Sequence, residues 1–207
     1  MLKQRGVTLV ELMIALAIAV VIIAAVMAVF ITTVRHSRES LEQGRLNTEL
    51  HRTIRIIARD IGRAGYWASA TSSQTNPFTQ SSTDLTVNGA GNCILLSYDN
   101  NGDGSLPAVN SGTDDERYGF RLISGAIQYR PVSATFSCTA SAASWTNMTD
   151  PSLVTITAFS VTINTSSEPP MEIRNVTISI TGQLVSNTSI TKTISQTVKV
   201  QNDKYAP

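Results

Sequence analysis

The run Asp99-Asn100-Asn101-Gly102-Asp103-Gly104-Ser105 sets oxygen-bearing residues at alternate positions around glycine. Oxygen donors at the first, third and fifth positions, followed by Gly, open a calcium loop, in which hard donors surround the ion and Gly permits the sharp turn. Asp99, Asn101, Asp103 and the Ser105 carbonyl would supply that half. The second half departs from the pattern. The twelfth position is Asn110 in place of a bidentate Glu, although Asp114, Asp115 and Glu116 follow. Asp, Asn and Gly are also what an ordinary turn requires. A plain loop is therefore the default and calcium, the one candidate cofactor, is the alternative. The missing Glu would limit affinity to the roughly 10⁻⁴–10⁻³ M of extracellular modules.

No other constellation suggests catalysis. His36 and His51 stand far in sequence from Cys93 and Cys138, and neither a Gly-rich phosphate loop nor a zinc-ligand cluster occurs. The chain reads as a non-enzyme. Its 207 residues carry 16 Lys+Arg against 15 Asp+Glu, a net charge of +1. Global electrostatics thus gives no reason to expect a nucleic-acid partner. An arginine ridge at Arg52, Arg55, Arg59 and Arg63 reads as a face toward solvent or acidic neighbours.

The elements that must carry these residues divide near residue 70. Residues 1–70 hold nine Lys/Arg and five Asp/Glu, and residues 71–207 hold seven and ten, so the parts carry +4 and −3. From Leu12 to Ile31 every residue is apolar, without Gly or Pro. At about 1.5 Å per residue such a helix is roughly 30 Å long, the thickness of a bilayer's hydrocarbon core. A membrane span follows. Glu11 at its edge calls for an explanation, because an unpaired carboxylate there costs a few kcal/mol.

Beyond the span, Leu46, Leu50, Ile54, Ile57 and Ile61 recur at helical spacing and predict an amphipathic continuation that packs on the chain's own head. Gly62 and Gly65 should end it. The rest reads as strands. Residues 93–98, 120–123 and 126–130 form short candidates. SLVTITAFSVTIN, MEIRNVTISITGQLV and SITKTISQTVKVQN show the Thr/Val/Ile richness and period-two alternation of a three-stranded meander. The apolar phase slips between Ile156 and Phe159, which predicts a bulge. A meander on the apolar helix stripe gives an α+β fold.

MLKQRG followed by VTLVELMIAL resembles the class-III leader of type IV pilins and pseudopilins: a short basic start, Gly, then x-T-L-x-E and the apolar helix. ARDIGRAGYWA at 58–68 resembles minor pilins of the PilW type. The resemblance implies a pilin-like fold with a leader at 1–6, a long helix over 7–65 (7–31 in the membrane) and a β-rich head over 66–207. It implies that a prepilin peptidase cuts between Gly6 and Val7 and methylates the new amine. The family's usual first mature residue is Phe, and Val7 departs from it.

Cleavage would leave the Val7 α-amino group one helical turn from Glu11, so the pair could close within one chain. The resemblance favours pairing between Glu11 and a neighbouring subunit's amine, which would set the register of assembly. It also implies the bacterial inner membrane, with the N-terminus cytoplasmic and the head periplasmic, and then the pilus. Partners implied are other minor pilins, the major pilin, the platform protein, the peptidase and, before assembly, membrane lipid. In an oxidising compartment Cys93 and Cys138 would form a disulfide, two buried thiols being the alternative. The expected role is a structural minor pilin that primes or tips a type IV pilus, with roles in twitching motility or adhesion. A J-type pseudopilin of type II secretion and, further off, a DNA-uptake pilin share the leader.

Overall fold

The computed structural model describes residues 6–70, 75–109, 112, 114–132, 134–168 and 171–205. A long α-helix, α1, runs Leu9–Arg63. The chain divides into two units, Met1–Gly44 and Arg45–Pro207, so the boundary falls within this helix. The basic leader residues Lys3 and Arg5 lie outside the described residues.

In the first unit every residue from Gly6 to Thr33 is exposed. Its large apolar side chains, from Val7 to Ile31, are 50–77% accessible. No water-exposed helix sustains so much apolar surface without a partner, whereas its length suits a bilayer. The first polar residues after the run are locally satisfied. Thr32 Oγ1 donates to the Val29 carbonyl at 2.8 Å and Thr33 Oγ1 to the same carbonyl at 2.9 Å, the back-bonding that lets hydroxyls sit in an apolar setting.

In the second unit the helix stripe is the centre of the core. Leu46, Leu50, Ile54, Ile57 and Ile61 are all at most 2% exposed. Burying each contributes about 1.5–3 kcal/mol. Arg52, Arg55, Arg59 and Arg63 remain exposed. The helix stops where the glycines predict. Gly65 takes a positive φ of 75° and donates its N–H to the Ser97 carbonyl at 2.9 Å. The last helical carbonyls are satisfied from the far end of the chain. Gln201 N–H donates to Gly62 O, and Asn202 Nδ2 to the carbonyls of Arg63 and Ala64.

The strands form two antiparallel sheets around that stripe. The first runs in chain order: β1 (Thr86–Val87), β2 (Cys93–Ser97), β3 (Arg117–Ile123), β4 (Ala126–Tyr129) and β5 (Thr146–Asn147). The second is the expected meander of β6 (Val154–Glu168), β7 (Met171–Leu184) and β8 (Thr191–Lys199), with β9 (Lys204–Tyr205) added beside the start of β7. Ile94, Leu96, Phe120 and Ile127 of the first sheet share one core with Val176, Ile178 and Ile180 of the second. Leu50 meets the second sheet where β7 has no side chain, since a Cβ on Gly182 would lie 2.9 Å from Leu50 Cδ2.

The predicted bulge is real. Ile156 pairs with Gly182 and Ala158 with Thr181, so Thr157 is the extra residue. Ile156 and Phe159 are thereby both buried despite their odd spacing. Between β3 and β4 the two-residue turn Ser124–Gly125 has φ of 49° and 77°, both positive, as a hairpin turn matched to strand twist requires.

Candidate functional site

Gly6, Val7 and Thr8 precede the first helical residue, Leu9. A Cβ built on Gly6 would meet nothing within 4 Å. A small residue here is thus not a demand of this fold, which is what a recognition role for Gly6 would look like. Thr8 is the N-cap. Its Oγ1 accepts the Glu11 N–H at 3.3 Å, while Glu11 Oε2 accepts the Thr8 N–H at 3.0 Å and the Thr8 hydroxyl at 2.8 Å. This reciprocal capping box satisfies backbone donors that a helix start leaves without partners. The carboxylate also sits at the positive end of the helix dipole. Glu11 therefore has a local partner before any cleavage frees an amine. Charge reasoning alone missed Thr8, although Thr8-Leu9-Val10-Glu11 spells the S/T-x-x-E capping signature.

The oxygen-rich loop contains the predicted residues in an ordered turn. Asp99 is buried, at 3% exposure. Its Oδ1 accepts the Gly102 N–H at 2.6 Å, and its Oδ2 those of Ala68 and Gly104, both at 3.0 Å. Asp103 is exposed and accepts from the Ser105 N–H and hydroxyl and from Asn101 Nδ2. Those bonds hold its carboxyl below the usual carboxylate range, the Ser105 backbone bond contributing most. Asn101 and Ser105 thus support Asp103. Asn110, the expected twelfth position, lies outside the described residues.

Glu116, noted in sequence only as a following acid, joins Asp99 and Asp103: one oxygen from each of the three lies within 4.8 Å of the others. It reaches them because Tyr98 N–H bonds the Glu116 carbonyl, continuing the pairing of β2 with β3. No motif could reveal that contact, which spans an irregular segment.

Cys93 and Cys138 are joined in a disulfide. The loop it closes is held by Arg121, whose guanidinium donates to the carbonyls of Cys138, Ala140 and Ser141 and to Gln128 Oε1. The same group lies 4.3 Å over the Trp145 ring. Burial lowers the Arg121 pKa from its ordinary value, yet the carbonyls satisfy its donors without an acid. Trp145 in turn fills the space over Gly119, where a Cβ would come within 2.7 Å of the ring.

Residues 39–200 match a family model described as prepilin peptidase-dependent protein B. Residues 1–29 match that of the prokaryotic N-terminal methylation motif. No curated protein and no solved structure matches the chain.

Proposed function

Because the chain belongs to the prepilin peptidase-dependent protein B family, with an N-terminal methylation motif ahead of it, we propose that it is a minor pilin that primes a type IV pilus or sits near its tip. At the coarser level it is a pilin-like structural protein, not an enzyme, processed by prepilin peptidase and assembled with other pilins.

The observation that carries the proposal is the exposed apolar helix beginning three residues after Gly6, with a capped Glu11 in its first turn. A cut between Gly6 and Val7 would retain this helix, and its apolar surface needs a partner: lipid before assembly, a bundle of like helices after it. The new Val7 amine of one subunit would draw Glu11 of another away from its Thr8 cap, so that register is chosen by a charge-assisted pair. In this reading the chain is a minor pilin of the PilW type with a periplasmic head, and the platform protein, major pilin and other minor pilins are its partners.

Deletion and complementation test the role. Deletion is expected to reduce surface pili and twitching motility, with the chain recovered in sheared pili on complementation. Lost protein export with motility intact would instead make it a J-type pseudopilin of type II secretion.

A further inference from the structure

We propose that Asp99, Asp103 and Glu116 form a divalent-cation site in the head, suited to calcium. The site stands apart from the pilus assignment, since it is a property of the folded chain alone.

Glu116 carries the proposal. It is 3% exposed. Its Oε1 accepts the N–H groups of Asn100 and Asn101, but its second oxygen, Oε2, is buried and has no hydrogen-bond partner among the described residues. A buried carboxylate oxygen without a donor carries a large desolvation penalty. Here it belongs to a group facing two further acids, and among the described residues none of the three forms an ion pair with Lys or Arg. Other buried acids of the chain are treated differently: Asp115 pairs with Arg117 and Arg130, and Asp84 with Arg174 and Lys204. A cation is the missing complement.

All-oxygen donors and an irregular cage suit calcium, which tolerates flexible geometry better than magnesium. Oxygens bound to one calcium at roughly 2.3–2.6 Å can lie up to about 5 Å apart, whereas magnesium's ~2.0–2.1 Å bonds bring them closer in a strict octahedron. The trio's oxygens, all within 4.8 Å of one another, are close enough to share one calcium. Backbone donors already fix Asp99, and exposed Asp103 leaves an entry for the ion and its waters. The wall is rigid. Trp67 Nε1 donates to the Gly104 carbonyl at 2.7 Å, and Gly104 has φ of 73° with its Cβ position only 2.0 Å from Ser69 Oγ, so no side chain fits there. Counting Asp99 as the first position, the Glu is the eighteenth rather than the twelfth. The site is therefore built from a loop and a strand start, not from one continuous calcium loop.

The full chain in detergent micelles, melted at pH 7 with tryptophan fluorescence, tests this in calcium chloride, magnesium chloride or chelator. Calcium is expected to raise the melting temperature by several degrees, saturating near 10⁻⁴–10⁻³ M, roughly the range of extracellular calcium modules, and magnesium to do less. Glu116→Gln should melt higher than wild type in chelator, because an uncompensated buried charge is gone, and should lose the calcium response. Asp103→Asn, at an exposed position where folding is not at stake, should lose most of it too. A wild-type melting curve unchanged by calcium, or a wild-type calcium shift in Asp103→Asn, would overturn the site.

Discussion

Thr8 and Glu11 exchange hydrogen bonds in both directions across the first turn of α1, and the Glu11 carboxylate takes both the backbone N–H and the hydroxyl of Thr8. The family's acid is thus a helix cap before it is an assembly contact. The two roles separate by mutation. Thr8→Ala removes the cap's hydroxyl, at a cost of about 0.5–2 kcal/mol to the helix start, but leaves the charge. It should insert in the membrane and enter filaments nearly as wild type. Glu11→Val should also insert, since losing a charge favours lipid, yet be depleted from sheared pili. Equal depletion of both variants, measured by quantitative immunoblot, would assign Glu11's importance to capping alone.

Asp84 ties the two ends of the head together. It accepts from Arg174 on β7 and from Lys204 on β9, at 2.8 Å for the lysine. Arg174 stands on β7's buried face, at 3% exposure. Removing one partner of a buried pair leaves the other charge uncompensated, at about 3–5 kcal/mol. Asp84→Ala should therefore shift chemical denaturation strongly, while the double variant Asp84→Ala with Arg174→Met should recover part of the loss. A double variant less stable than Asp84→Ala would refute that pairing logic.

Asp60 supplies a pH dependence of definite sign. Burial raises its carboxyl above the usual value, against the lowering by Arg59 and Arg63. An acid with a raised folded-state pKa contributes stability fully present below its unfolded value of about 3.9 and lost as pH rises through the folded one. Asp60→Asn should remove that loss and so flatten the stability profile of the chain, in chelator, from pH 4 upward. Parallel profiles for variant and wild type would contradict the shift.

How much of this was legible in the residues depends on the range of the signal. The stripe from Leu46 to Ile61 repeats at helical spacing over four turns, so one buried face followed from periodicity alone. The slip between Ile156 and Phe159 was equally visible, because a period of two tolerates no odd step without a bulge. The strands of 93–130 were seen, but their closure into a separate sheet was not. That sheet's edges, β1 and β5, are two residues each and carry no period. Glu116 was similarly hidden. Its contact with Asp99 arises from strand pairing across an irregular segment, and local spacing encodes nothing of it. Ser124, with its positive φ, needs the neighbouring strands' twist to explain it.

The N-terminus of the chain recovered from cells tests the central claim most directly. Intact-mass and terminal-peptide mass spectrometry should find the protein beginning at Val7 with one methyl group on its amine, and beginning at Met1 in cells lacking the prepilin peptidase. A chain that keeps Met1 in wild-type cells, or one cut beyond Ala28 so that the apolar helix is lost, would contradict it.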